Sequence, residues 1–231
     1  MDQQQKLIAG LLALRKKLLV LGGTIAATTV LLYFFTTQIF AVLQAHLHQQ
    51  LAFFTVAEPF LAHVKLAFFS ALFLLMPFIL HTLWLALATP FGFSSASRRF
   101  FLIGTVGLFY AGASFCYAIT LPFGVDFLLG FGSANLQPVI SIDRFVSFFT
   151  LFVLAFGLIF ELPVFMVFFA KAGICPRKTF EKNRRYAILI ISIAAALLTP
   201  TPDAVNMALM GGPLYLLYEA GIVILRFMHI E

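Results

Sequence analysis

The sequence predicts an all-α integral membrane protein, a bundle of six transmembrane helices with both chain ends on one side. Three observations predict it. Of the 231 residues, 62% are hydrophobic and 10% charged, against about 45–50% and about 25% in an average soluble domain. Several apolar runs reach about 20 residues, the length that crosses a hydrocarbon core of about 30 Å. Lysine and arginine gather in alternate loops between those runs. A mean hydropathy of +1.03 leaves too little polar material to cover a soluble fold.

Residues 1–17 open the chain as an interfacial or cytoplasmic helix, with Leu7, Ile8, Leu11, Leu12 and Leu14 near one face ahead of Arg15-Lys16-Lys17. It is expected to turn there into the membrane. The spans follow at about 18–43, 59–88, 100–130, 145–170, 186–199 and 204–225. The fifth is short, since Ala187 to Leu198 covers only ~18 Å at a rise of about 1.5 Å per residue. The last two helices are therefore expected to form a short hairpin turning at Thr199-Pro200-Thr201-Pro202-Asp203, which thins the membrane or is shielded by the bundle. With no internal repeat, linker or change of composition, residues 1–231 read as a single membrane domain.

Thirteen of the fifteen Lys and Arg lie before the first span, between the second and third, between the fourth and fifth, or after the sixth; only Lys65 and Arg144 lie opposite. The positive-inside rule then places both termini in the cytoplasm. The same asymmetry accounts for the net charge of +6, so a nucleic-acid partner is not needed to explain it. No cleavable signal is expected, because the first apolar run exceeds a signal core of about 7–15 residues.

Glu161 stands in the middle of the fourth span, where a charge costs roughly 2.5–3.5 kcal/mol and must face protein or water or be protonated. Pro163 beside it predicts a kink and a polar opening, because its ring clashes with the carbonyl of Ile159. A neutral Glu buried for packing is the alternative. Glu58-Pro59-Phe60 opens the second span and Asp203 precedes the sixth, both readable as plain helix starts or as outer-face groups. Glu219 is a second intramembrane acid, either snorkelling or a partner site, and Gly211-Gly212-Pro213 loosens its helix. His46, His48, His63, His81 and His229 lack metal-ligand spacing, so no metal is expected. Cys116 and Cys175 read as free thiols too far apart to bridge. No phosphate loop or nucleophile-base pair appears, which predicts a protein that is not an enzyme and needs no cofactor.

Taken in order, these residues resemble the TatC family, the multispanning subunit of the twin-arginine (Sec-independent) protein translocase. The resemblance runs from Leu14-Arg15-Lys16-Lys17 through Thr55-x-x-Glu58-Pro59-Phe60, Lys65, Pro77, Trp84, Pro90 and Arg98-Arg99. It continues through Phe109-Tyr110-Ala111-Gly112, Phe115, Tyr117, Pro122, Phe156-Gly157, Glu161-x-Pro163, Arg184-Arg185-Tyr186 and Leu198-Thr199-Pro200 to Asp203. It implies a cupped bundle of six kinked helices in the inner (cytoplasmic) membrane. Such a bundle binds twin-arginine signal peptides and organises single-span TatA and TatB partners, precursor proteins and other copies of itself for export of folded proteins driven by proton motive force. By resemblance, Arg15, Arg98 and Arg99 belong to the signal-binding region, and Glu161 and Thr199 to an intramembrane polar and partner site. Glu58, Pro59, Phe60 and Asp203 belong to the outer face.

The departures bear on mechanism. The family pattern has an acid two residues before the entry arginine and another before the Arg-Arg pair, and here those positions hold Ala13 and Ser97. Carboxylates are the natural bidentate partners of guanidinium groups, so twin-arginine recognition is expected to be weak, altered or supplied by another chain. Asp2 or Glu181 could compensate if their segments fold over the site. Met207 replaces a polar amide expected four residues after Asp203, and the Trp84 to Pro90 stretch is one residue longer than in the family pattern. Two other functions fit the same sequence: a divergent paralogue serving as a scaffold without reading the signal, and a proton-coupled secondary transporter centred on Glu161.

Overall fold

The computed structural model describes residues 3–44, 51–88, 91–130, 139–198 and 204–228; at 3–16, 88, 126–129, 197–198, 204–206 and 208–210 only the backbone is described. In chain order the helices are α1 (Gln3–Tyr33), α2 (Thr36–Gln44), α3 (Glu58–Leu74), α4 (Met76–Ala88), α5 (Ser95–Phe115) and α6 (Leu121–Leu129). They continue as α7 (Ile142–Ile159), α8 (Leu162–Lys171), α9 (Arg177–Lys182), α10 (Arg184–Leu198) and α11 (Ala204–Phe227). Two short strands, β1 (Leu51–Ala52) and β2 (Ile140–Ser141), pair in parallel with Leu51 opposite Ile140. The chain forms two compact units, Met1–Leu102 with Val139–Thr150, and Ile103–Pro138 with Leu151–Glu231.

In the first unit α1 runs unbroken for 31 residues. The interfacial stretch and the start of the first span are thus one helix, without the expected turn at Arg15 to Lys17. Leu14 to Val20 holds only strong helix formers and one valine, with no Gly or Pro to end a helix. The break comes later, at Phe34 and Phe35, where α2 leaves at 74°. There the Thr36 hydroxyl donates to the Tyr33 carbonyl at 2.8 Å, satisfying a group the bend would strand. The second span is α3 and α4, bent by 55°. Pro77 is the cause, since it has no N–H and its ring would strike the Phe73 carbonyl in a continuous helix. Ala62, Ala67 and Ala71 of α3 are fully buried, and α1 packs closely along this helix. Trp84 of α4 is buried and stacks on Phe101 with ring centroids 4.8 Å apart.

In the second unit α5 passes through a π-helical segment, Cys116–Thr120, into α6. Pro122 follows at once, and the wider turn makes room for a ring that an α-helix would drive into the carbonyl four residues earlier. The α8 and α10 helices pack along α11. Gly221 makes this possible, because a Cβ there would stand 2.6 Å from Met166 Sδ and 3.3 Å from Pro163 Cα. A tighter approach joins α5 to α7. A Cβ on Gly112 would come within 2.6 Å of Phe160 Cγ and 2.8 Å of the Phe156 carbonyl oxygen, an atom that cannot swing aside. Gly112→Ala is therefore expected to cost about 1–3 kcal/mol. A lower midpoint of thermal unfolding in detergent checks this, and an unchanged midpoint would contradict the close approach.

Among the described residues, Ser95–Val125 and Ile142–Lys171 are long and apolar enough to cross a bilayer, and counting each bent pair as one span gives four. α10 has 15 residues, ~22 Å at about 1.5 Å per residue, as short as expected, but α11 has 24 residues, ~36 Å, so of the last two helices only α10 is short. Its turn into α11, Thr199 to Asp203, lies outside the described residues. Large apolar side chains such as Ile103 and Leu216 stand about 70% exposed in mid-helix, as a lipid-facing surface requires.

Candidate functional site

Glu161 lies at the junction of α7 and α8. Its N–H bonds back to Leu158 O at 3.2 Å, and its carbonyl accepts from Val164 N and Phe165 N at 3.0 and 3.1 Å, which restarts the helix past Pro163. The expected interruption is present, but the expected polar opening is not. The side chain is 1% exposed and neither carboxyl oxygen has a hydrogen-bond partner among the described residues. On the preceding turns of the same segment, Phe156 and Phe160 pack against Phe115 of α5, stacked at 6.3 Å and tilted at 5.6 Å. An unpartnered buried carboxyl group costs several kcal/mol, which favours its neutral, protonated form. Thr199, the other residue of this predicted site, lies outside the described residues.

In the first unit, Ser94 caps α5. Its Oγ accepts the Ser97 N–H at 3.2 Å and lies 3.1 Å from Ser97 Oγ. Ser97 thus occupies the third helical position, where a capping box would carry an acid. Arg98 donates to Ser95 Oγ at 3.0 Å. Arg98 and Arg99 line a cavity of about 230 Å³ together with His81, Trp84 and Ser95. An adjoining cavity of about 300 Å³ shares His81 and is walled by Lys17, Val20 and Phe78. The arginine pair and Lys17 of α1 thus stand on two cavities that have His81 and Leu85 in common. Arg15 and Ala13 are on the same helix, and their side chains lie outside the described residues.

A second polar cluster of this unit was only half visible in sequence. Glu58 begins α3, with Pro59 inside its first turn. Its carboxylate reaches past its own helix to accept from Phe54 N at 3.0 Å and from Ser141 Oγ at 3.2 Å, which ties the β1 and β2 segments together. About two helical turns later, Lys65 Nζ donates to both oxygens of Asp143, at 2.7 and 2.8 Å, and to Ser147 Oγ at 3.1 Å. Phe60 is exposed and meets Tyr33 edge-on at 6.4 Å. Asp203 lies outside the described residues. Asp143→Ala leaves the ammonium group without its charge partner and is expected to cost about 1.5–3 kcal/mol, read as a lower unfolding midpoint. An equal loss in Lys65→Met and no further loss in the double variant would show that the pair acts as a unit.

In the second unit, charged groups lock α9 and the start of α10 onto α11. Arg184 pairs with Glu219 at 2.9 Å, and Tyr215 donates to the other Glu219 oxygen at 2.9 Å. Arg226 bonds Glu181 at 2.9 Å, and the Tyr218 hydroxyl donates to Phe180 O at 2.7 Å. Glu219 is thus held by a structural pair. Glu181, considered above as a replacement counter-charge, is already engaged by Arg226 and Arg177. The hydrogen bond from Arg226 holds the Glu181 carboxyl below the usual carboxylate range. Its contribution is therefore present at neutral pH and lost as the pH falls through that lowered value.

Fold and site together define a multispanning helical membrane protein with proline-broken helices and an enclosed mid-span carboxyl group. The chain belongs to the TatC family: the family model described as Sec-independent protein translocase protein (TatC) matches residues 10–213. The TatC protein of Koribacter versatilis is 35% identical over 192 residues, covering 82% of this chain and 70% of that one. The TatC protein of Carboxydothermus hydrogenoformans is 38% identical over 185 residues, covering 79% and 75%. A crystal structure titled as the twin arginine translocase receptor TatC in DDM superposes with a TM-score of 0.80 at 29% identity, over 93% of this chain and 98% of that one.

Proposed function

We propose that the protein is the receptor and organising subunit of a twin-arginine translocase in the cytoplasmic membrane, with six spans and both termini inside. It binds twin-arginine signal peptides and gathers single-span TatA- and TatB-type partners, further copies of itself and folded precursors for export driven by proton motive force. It carries no enzymatic step of its own. The likeness along nearly the whole chain to a twin-arginine translocase receptor carries this reading. In it, Glu161 and Thr199 receive partner helices within the membrane, and Arg15, Arg98 and Arg99 border the signal peptide. Glu58, Pro59, Phe60 and Asp203 shape the outer face.

The scaffold reading is favoured by one observation: His81, Ser95, Arg98 and Arg99 supply the polar part of their cavity with no carboxylate among them. Expression in cells lacking their own TatC, together with single-span partners from the same source, separates the two. Export of a twin-arginine reporter supports the receptor; partners that co-purify without export support the scaffold. Substrate-dependent proton flux in liposomes holding this protein alone would point instead to a transporter.

A further inference from the structure

The two adjoining cavities at α1, α4 and α5 have a composition that suits a ligand other than a guanidinium group. Arg98, Arg99, Ser95 and His81 border one, and Lys17 and His81 the other. Every charged group there is a cation. Among the described residues none of Lys17, Arg98 or Arg99 is paired with a carboxylate; Arg98 has only the neutral Ser95 hydroxyl. Below this basic rim the walls turn apolar, with Trp84, Leu85 and Leu102 on one side and Val20, Phe78 and Leu85 on the other. Trp84 is buried and locked against Phe101, so the floor is rigid. A cationic mouth on an apolar cleft between membrane helices matches a molecule with an anionic head and hydrocarbon tails.

We propose that Lys17, His81, Arg98 and Arg99 form a binding site for the phosphodiester headgroup of an anionic phospholipid, whose acyl chains lie along the Val20, Phe78 and Leu85 wall. The arginines act as forked donors to phosphate oxygens, the geometry in which Arg excels. A lipid is favoured over a free phosphate by the continuity of the apolar wall with the basic rim. It is favoured over an acidic peptide because the wall beside the basic rim carries exposed apolar side chains, Val20 and Phe78, that suit acyl chains. The site needs only the membrane reading and stands whether or not the protein reads signal peptides. A headgroup held there would also return negative charge beside Ser97, where the family pattern has an acid.

The chain's only tryptophan, Trp84, lines the cavity and reports on it directly. The full-length protein is placed in nanodiscs of phosphatidylcholine containing increasing fractions of brominated phosphatidylglycerol or brominated phosphatidylcholine, and quenching of Trp84 is measured. Half-quenching by the glycerol lipid is expected at a mole fraction at least about fivefold lower, which corresponds to about 1 kcal/mol in all, the contribution of a single basic residue at a membrane surface. In R98Q/R99Q the two lipids should quench alike, with the unfolding midpoint in phosphatidylcholine unchanged. If R98Q/R99Q proves unstable, Lys17→Gln, on the other cavity, should reduce the preference on its own. Equal quenching in the unaltered protein, or a preference that survives R98Q/R99Q, overturns the site. Inorganic phosphate that abolishes the preference, where chloride at equal ionic strength does not, assigns it to a free phosphate and overturns the lipid source. Displacement by a soluble acidic peptide but not by phosphate overturns it in favour of a protein ligand.

Discussion

Glu161→Ala is expected to weaken retention of single-span partners by about 5- to 30-fold while leaving the protein inserted and abundant. The magnitude is that of one hydrogen bond between helices in hydrocarbon, about 1–2 kcal/mol. The two sides of the change have opposite signs. Among the described residues the carboxyl group has no partner, and it is buried, so its removal relieves a desolvation cost and the unfolding midpoint should not fall by more than the small cavity demands. Between chains the acceptor is lost, and export falls with it. Glu161→Gln, which keeps an acceptor oxygen and shape, should retain most of the partner affinity. Near-normal co-purification and export by Glu161→Ala at equal expression would remove Glu161 from the partner site. A collapse in abundance would make it a packing residue.

Restoring the two acids should act on the first unit. Ala13→Glu with Ser97→Glu is expected to tighten binding of a twin-arginine peptide by about tenfold, two exposed carboxylate–guanidinium pairs at roughly 0.7 kcal/mol each. The twin-lysine version of the peptide should gain less, since an ammonium group cannot present the paired donors. Ser97→Glu has a local basis as well. Position 97 is already the third residue of α5, its N–H bonded to Ser94, so a glutamate there completes a capping box and should not disturb the helix. An equal gain for both peptides would reduce the effect to charge attraction.

What the sequence made legible follows from local rules. Apolar run length and the loop bias of Lys and Arg give the class. Pro77 and Pro163 mark two helix breaks because proline removes a donor wherever it stands. Glu161 announces itself because an acid in a run of Phe, Leu and Ile has few benign explanations. Its surroundings were harder. The polar opening expected beside Pro163 is absent, and the burial of Glu161 depends on packing that no local pattern around 161 foretells.

Other features were illegible because they join distant positions. Lys65 and Asp143 are 78 residues apart, and each reads alone as a loop-side charge. Glu58 looks like an ordinary helix start until Ser141 is found against it. Arg184 reads as an orientation charge and Glu219 as a snorkelling acid, yet they neutralise each other. The 74° bend after Tyr33 has neither Gly nor Pro at Phe34 and Phe35 to announce it; only Thr36, able to bond back to a carbonyl, hints at it. The basic cavities were partly visible, as Arg98 and Arg99, but His81 and Lys17 join them only through the packing of α1 and α4.

The central claim is that this chain receives twin-arginine signals, and site-specific photo-crosslinking of a twin-arginine signal peptide tests it most directly. Probes placed near Arg15 and Arg98 are compared in membranes with and without the single-span partners, against a twin-lysine peptide. The receptor account predicts crosslinks that depend on the arginine pair. Their absence in membranes where the partners still co-purify would contradict it, leaving a translocase scaffold that does not read the signal.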